Sequence, residues 1–373
     1  MPHEEGKTVI TERLLSLDLF RGITMFLLVA EGTHLYNSLS DIISHDSFIG
    51  QIVIQFHHHA WNGLRFWDLV QPFFMFIVGV AMVFSLNKRW AGGASWLDTF
   101  RHIIQRCFIL FFFGVILHCG YSGKLVWELW NVLTQLSFTI LISFLIFRFR
   151  ISIQLIISFG LLLLTELLYR YVTVPGYDQA FVMGNNFGSY MDTVLMGKIN
   201  LRGWVAINCI PTAAHTIWGV LVGKILISNQ PALKKAMIIA VAGVIGLLIG
   251  YSMDWSGLTP IIKRISTSSF VIASGGWCLI ALALCYWLID IKGYKRGVVF
   301  FAIVGMNPIF IYMFSETVGQ QWFNGFIAIF SNGFLRWLGV NLGIIHVINA
   351  LVVLGLEWYI CYWLYKKRIF IKI

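Results

Sequence analysis

The feature that most constrains the fold of this chain is a series of continuous apolar runs, each about 20 residues long. An α-helix of that length spans a bilayer, whereas a transmembrane β-barrel places apolar residues at every second position. Hydrophobic residues make up 58% of the 373 residues and charged residues only 12%, against about 45–50% and about 25% in soluble domains. We therefore predict an all-α polytopic membrane protein, with residues 1–373 forming one transmembrane domain.

The apolar runs predict ten membrane helices, at residues 17–37, 67–87, 104–121, 129–148, 151–172, 204–227, 235–252, 269–290, 298–317 and 344–365. The loops between them alternate in charge. Of the 27 Lys and Arg residues, 19 belong to one set of loops. The other set holds Arg65, Lys124, Arg170, Lys198, Arg202, Lys263, Arg264 and Arg336. The positive-inside rule places the richer set in the cytoplasm, together with both termini.

The loops 38–66, 173–203 and 318–343 then lie outside. They are rich in Trp, Tyr, Asn and Gly, as expected of segments that line a wet cavity or lie at the membrane interface. Residues 1–12 lack the parts of a signal peptide, so we expect the first apolar run to be a retained anchor.

The net charge of +10 would suit nucleic acid. However, the basic residues lie in short loops between apolar runs, where they act as topology signals and attract anionic lipid or an acidic ligand. We therefore expect membrane lipid as a partner and no nucleic acid. The six cysteines show no metal-binding or redox spacing.

Ionisable residues inside the apolar runs are functional candidates, because a charge at mid-membrane costs about 2.5–3.5 kcal/mol. They are Asp18, Arg21, Glu31, His34, Asp68, His118, Glu166, His215, Glu316 and Glu357. Asp18 and Arg21 share a helix face, which fits either a structural ion pair or an inward-facing ligand pocket. We expect His118 to be interfacial, and Glu166 and Glu357 to pair or reach solvent near helix ends.

Three consecutive histidines, His57, His58 and His59, precede the second predicted helix. Neighbouring helix positions point about 100° apart and do not converge on one ion, so we predict no metal. A neutral imidazole serves as a general base or an acyl carrier, and Glu31 or Asp68 could orient it. Plain interfacial histidines are the alternative.

Several short motifs carry a family resemblance. Residues 13–22 read R-L-L-S-L-D-L-F-R-G, residues 58–64 read H-H-A-W-N-G-L, and residues 68–79 read D-L-V-Q-P-F-F-M-F-I-V-G. Further blocks are G-S-Y-M-D at 188–192, I-P at 210–211 and G-M-N-P-I at 305–309. Together they resemble the transmembrane N-acetyltransferase family typified by lysosomal heparan-α-glucosaminide N-acetyltransferase, with its bacterial relatives.

The resemblance implies that acetyl-CoA is used from the cytoplasmic side and that a glucosamine amine on the far side accepts the acetyl group. It also implies an essential outer histidine, which is His58 in this sequence, and a bacterial inner-membrane location. We assign catalysis to His58 and Glu31. The expected acceptor-binding residues are Trp61, Asn62, Asp68, Asp192 and Asn307. The expected CoA-binding residues are Asp18, Arg21, Arg101 and Arg106.

Asn307 precedes Pro308, so it either binds the thioester carbonyl or marks a structural helix break. The chain departs from the family at two places: it reads V-A-E-G-T at 29–33, where many members have V-N, and V-L-T-Q-L at 132–136, without the family's Arg. Both changes leave the acceptor open between an amino sugar and another glycan. An amino-sugar transporter, an O-acetyltransferase of an envelope glycan and a homodimeric assembly stay open as well.

Overall fold

The computed structural model describes residues 14–371, so the predictions that involve Lys7, Arg13 and Lys372 lie outside the described residues. This part of the chain is helical, and its one extended pairing is an isolated antiparallel bridge between Asn62 and Ile262. The first eight helices are α1 Leu15–Gly32, α2 Leu35–Ile42, α3 Phe48–Val53, α4 Val70–Ala91, α5 Trp96–Ser122, α6 Val132–Leu145, α7 Ile151–Tyr171 and α8 Phe187–Met196. The others are α9 Cys209–Ile227, α10 Ala232–Trp255, α11 Ser268–Tyr286, α12 Val298–Met306, α13 Pro308–Phe314, α14 Asn324–Trp337 and α15 Leu342–Lys366.

Every predicted membrane segment contains one of these helices, but not all of them are long and apolar enough to span a bilayer. Seven meet that condition: α4, α5, α7, α9, α10, α11 and α15. Two consecutive helical segments, Val298–Met306 and Pro308–Trp337, are bent by 76° relative to each other. They form an eighth span if they are counted together as one. The α1 helix carries three charged residues, and α6 is only 14 residues long. A helical membrane protein is confirmed, while ten spans and cytoplasmic termini stay predictions.

Two predicted boundaries are wrong. The first helix ends at Gly32 instead of residue 37, because His34 adopts a left-handed conformation (φ 63°) before α2 begins. The predicted outer loop 318–343 is mostly helical, with a π-helical stretch at Ser315–Phe323 followed by α14. Its Trp, Phe and Ile residues support a helix at the membrane surface or within it.

Glycines allow the central helices to pack backbone against backbone. A Cβ on Gly79 of α4 would overlap the carbonyl oxygen of Thr216 in α9, and one on Gly219 of α9 would overlap that of Phe76. In the same way, a Cβ on Gly22 of α1 would collide with the backbone of α12. The close α4–α9 and α1–α12 pairs therefore give the bundle a rigid centre.

The segment at 57–65 is held against a second outer loop. Gly63 donates its backbone N–H to the carbonyl of Ile261 (2.8 Å), beside the Asn62–Ile262 bridge. The indole of Trp61 donates to the carbonyl of Phe181 (2.8 Å). These contacts hold the backbone around His58 against loop 257–267 and loop 172–186.

Candidate functional site

One cavity, of about 370 Å³, connects most of the polar residues at this end of the bundle. It is lined by Leu28, Glu31, His58, Trp67, Val70, Gln71, Phe74, His118, Tyr121, Trp130, Asn131, Val132, Asn200, Arg202, Trp204, Lys263, Tyr312 and Glu316. These residues come from α1, α4, α5, α6, α13, the π-helical stretch Ser315–Phe323 and the loops at this end of the bundle, so the bundle must fold before the cavity exists. The two residues predicted to be catalytic, His58 and Glu31, lie together in its wall.

His58 is oriented by Asp68. Its Nδ1 lies 2.9 Å from Oδ1 of Asp68, which is 1% exposed. The other carboxylate oxygen of Asp68 accepts the backbone N–H of His59 (3.2 Å) and that of Arg65 (2.9 Å). An ionised carboxylate only accepts hydrogen bonds, so His58 donates from Nδ1 and keeps Nε2 as the acceptor nitrogen. This is the arrangement of a general base held by a buried carboxylate.

Lys263 is the cation of the site. Its Nζ lies 3.2 Å from Nδ1 of His58 and 3.7 Å from Oδ1 of Asp68. Burial lowers the pKa of Lys263 to about 8. Burial, and then the charge on Lys263, lowers the pKa of His58 to about 4, so its imidazole is neutral at pH 7.

Two carboxylates face the same space. Glu31 accepts a hydrogen bond from the indole of Trp67 (3.1 Å), and Glu316 accepts one from the hydroxyl of Tyr121 (2.6 Å). The aromatic rings of Trp130 and Trp204 also line the cavity. Carboxylates among aromatic faces suit a ligand that combines a positive charge with apolar ring faces.

Three of the predicted acceptor-binding residues are not among those that line the cavity. Asp68 is bonded to His58, while Trp61 and Asn62 hold the loop through Phe181 and Ile262. These residues position the site; they do not line it. Their direct contact with an acceptor stays a prediction.

Asp192 is also a supporting residue. It is fully buried, accepts the indole N–H of Trp130 (2.8 Å) and the backbone N–H of Ala206 (2.9 Å), and so holds Trp130 in the cavity wall. Burial raises its pKa to about 7. The contact that the structure gives it is with the tryptophan, and its contact with the acceptor stays a prediction.

Asn307 is remote from this cavity. Its side chain donates to the carbonyl of Ile369 (3.0 Å) and accepts the backbone N–H of Ile371 (2.7 Å). The break between α12 and α13 therefore holds the end of the chain, which supports the structural alternative for this residue. Both ends of its amide are occupied by these contacts, and the binding role stays a prediction.

The predicted CoA-binding residues lie at the basic end of the bundle. Arg21 donates to Asp18 (2.5 Å), and it lies close enough to Arg106 for the two charges to repel. The Nε atoms of Arg21 and Arg106 are buried without a hydrogen-bond partner in residues 14–371. Arg101 is exposed one turn earlier on α5. Two adjacent guanidinium groups with unused donors fit an anionic ligand.

Sequence reasoning did not identify Lys263, Trp204 or the pair of His118 with Glu128 as part of the site. In the sequence, Lys263 appeared only as one of the basic residues in the loops that carry few charges. Its presence in those loops was the one sign that it could belong to the site. The interfacial prediction for His118 placed it at the correct end of α5 but missed that it faces the cavity.

Glu166 and Glu357, two other carboxylates of the apolar runs, have different surroundings. Glu166 accepts from Arg170 (2.7 Å) and Thr259 (2.8 Å), so its predicted pairing is confirmed. Glu357 is fully buried in α15 beside Gly319, so the expectation that it pairs or reaches solvent near a helix end is wrong.

Comparison with known proteins agrees with the motif blocks. A family model described as a domain of unknown function (DUF5009) matches residues 13–167. The chain is 26% identical over 431 residues to heparan-alpha-glucosaminide N-acetyltransferase of Homo sapiens, covering 98% of this chain and 61% of that protein. The Mus musculus protein of the same name is 25% identical over 436 residues, covering 99% of this chain and 62% of its own length.

The chain is similar over nearly its whole length to heparan-alpha-glucosaminide N-acetyltransferase. The resemblance stated from the motifs is thereby confirmed over nearly the whole chain. The chain spans about three fifths of the length of these curated relatives.

Proposed function

We propose that this protein is a membrane-embedded acyltransferase that moves an acetyl group from acetyl-CoA to the amine of a glucosamine-type sugar. The observation that carries the proposal is the imidazole of His58, held by buried Asp68 in the wall of a cavity that also contains Glu31. A neutral imidazole with one ring nitrogen fixed and the other available is suited to removing a proton from an attacking amine.

The donor is proposed to bind from the basic end of the bundle, which we expect to be cytoplasmic. Arg21 and Arg106 would hold its phosphates, because each has an Nε without a hydrogen-bond partner in the described residues and the two positive charges lie close enough to repel. Arg21 lies ten residues before Glu31 on α1, about 15 Å along the helix axis. A flexible thioester arm would have to cover that distance to reach His58.

The chemistry at His58 is a balanced exchange. The acceptor nitrogen attacks the thioester carbonyl, a C–N bond forms, the C–S bond breaks, and the thiolate leaves. His58 Nε2 takes the proton lost by nitrogen and returns it to the sulfur, while Asp68 stabilises the transient imidazolium. Glu31 and Glu316 would attract the cationic amine to the cavity.

The test uses purified protein in lipid, with acetyl-CoA and glucosamine. We expect His58→Ala to abolish acetyl transfer while CoA binding is unchanged, and Asp68→Asn to lower kcat by about 10²-fold or more because the imidazole loses its orienting acceptor. An active His58→Ala protein would overturn the assignment of the base.

Two further results separate the alternatives. With radiolabelled acetyl-CoA and no acceptor, direct transfer leaves no covalent label on the purified protein, whereas label retained on His58 would show a covalent acyl carrier. Glucosamine uptake into vesicles without acetyl-CoA would favour a transporter.

A further inference from the structure

A second histidine–carboxylate pair lies on the wall of the same cavity. His118, near the end of α5, has its Nδ1 2.6 Å from Oε2 of Glu128, and Lys198 donates to Oε1 of Glu128 (2.6 Å). The three residues come from α5, the loop before α6 and the turn after α8. Both His118 and His58 line the cavity.

The pair repeats the arrangement around His58. In each case Nδ1 faces a carboxylate, the carboxylate also faces a lysine, and Nε2 is left as the acceptor nitrogen. Burial opposes ionisation of Glu128, but hydrogen bonds from Lys198 and His118 hold the pKa of this carboxyl below its usual value. Glu128 therefore accepts from His118 as a carboxylate.

The two pairs differ in their access to solvent. Asp68 is 1% exposed, whereas the side chain of Lys198 is 41% exposed and that of Glu128 is 14% exposed. The imidazole of His58 is itself 35% exposed and that of His118 is 15% exposed, so the difference lies behind the rings: Asp68 is enclosed, whereas Glu128 leads on to the exposed Lys198. A proton collected by His118 therefore has a polar route to solvent past Glu128.

The surroundings of His118 are otherwise aromatic. Its ring packs edge-on against Tyr121 and Trp130, at centroid distances of 5.5 and 6.1 Å. Tyr121 in turn donates to Glu316, so the side chain of Tyr121 links the imidazole of His118 to a carboxylate of the cavity. An ammonium group attracted to Glu316 would be near both Tyr121 and His118.

The proposed reaction contains two proton removals. A glucosamine amine enters as an ammonium ion and must lose one proton before its nitrogen can attack. It loses a second proton as the amide forms, and that proton ends on the CoA sulfur. The overall change is R–NH₃⁺ plus acetyl-CoA to R–NH–acetyl plus CoA–SH and one released proton.

We propose that His118, held by Glu128, is a second catalytic base of this cavity that takes the first proton from the acceptor ammonium and releases it to the outer solvent. His58 then handles the second proton. This inference rests on the acetyl-transfer function proposed above, and it assigns the two proton transfers to two different imidazoles.

The experiment compares acetyl transfer to glucosamine by wild-type protein and by His118→Gln at pH values below and above the pKa of the free amine. We expect kcat/KM of the variant to be about 10²-fold lower than that of wild type below this pKa. Above it the amine is already neutral, so the difference should fall to a few-fold. Glu128→Gln should show the same pH-dependent deficit in a weaker form.

Controls keep the two hypotheses apart. His346→Gln changes an exposed histidine of α15 outside the cavity and should match wild type at every pH. A loss in His118→Gln that is equal at both pH values, or no loss at all, would overturn the inference while leaving the acetyltransferase proposal intact. Absence of transfer by the wild-type protein would instead count against the proposed function.

Discussion

At the scale of single residues, His58 has two neighbours of opposite charge. Asp68 raises the pKa of the imidazole and Lys263 lowers it, and burial lowers it further. The net result is an imidazole that stays neutral well below pH 7. Because the pKa of His58 is low, the lone pair on Nε2 stays unprotonated at pH 7. For the same reason, the imidazole is a weaker proton acceptor.

Replacing Lys263 by Met should raise the pKa of His58 above its value of about 4. A higher folded-state pKa means that His58 becomes protonated, and inactive as a base, at a higher pH. The acid limb in the pH dependence of kcat should therefore move upward in Lys263→Met. The matched control is Lys124→Met, an exposed lysine of the outer surface outside the cavity. An acid limb at the same pH in both variants would show that the Lys263 charge does not act on His58.

At the scale of elements, the motif glycines are explained by helix contact. Gly79 and Gly219 allow α4 and α9 to touch, and α4 carries Asp68 just before its first turn. The motif's histidine segment is thus attached to a closely packed helix pair. This explains why glycines far from the cavity share motif blocks with the residues of the site.

We expect Gly219→Leu to lower the free energy of unfolding by about 1–3 kcal/mol, because its side chain would collide with the backbone of α4. Thermal unfolding in detergent measures the change. Gly160→Leu, in α7, is the matched control, since a Cβ there meets no atom within 4 Å. That variant should be neutral or slightly more stable, because Leu favours a helix over Gly by up to about 1 kcal/mol. Equal destabilisation by both variants would contradict the packing argument.

At the scale of the whole molecule, the charge asymmetry predicts the orientation. We expect a cysteine at Leu125, which is 93% exposed, to react with a membrane-impermeant maleimide in intact cells. A cysteine at Tyr294, which is 66% exposed at the basic end, should react only after permeabilisation. Labelling of the protein without an added cysteine measures the reaction of its native cysteines, and this background is subtracted. The reverse pattern would invert the proposed direction of transfer.

The composition and the length of the apolar runs were enough to predict helices that lie in a membrane, because lipid leaves backbone groups no partner outside the helix. The segment containing His58 was also recognisable, through its motif and its position before a helix. Glu31 could be chosen from sequence because ionisable residues are rare in apolar runs, whereas His58 was chosen through the family resemblance.

Only the tertiary structure decided which polar residues face the cavity. Trp61, Asn62, Asp192 and Asn307 are polar or aromatic motif residues, yet each is used to hold backbone or another side chain. Lys263 is 205 residues from His58 in sequence and reaches it through folding. Sequence patterns report local periodicity and burial, whereas a catalytic cavity depends on side chains from distant helices, whose meeting is set by helix packing.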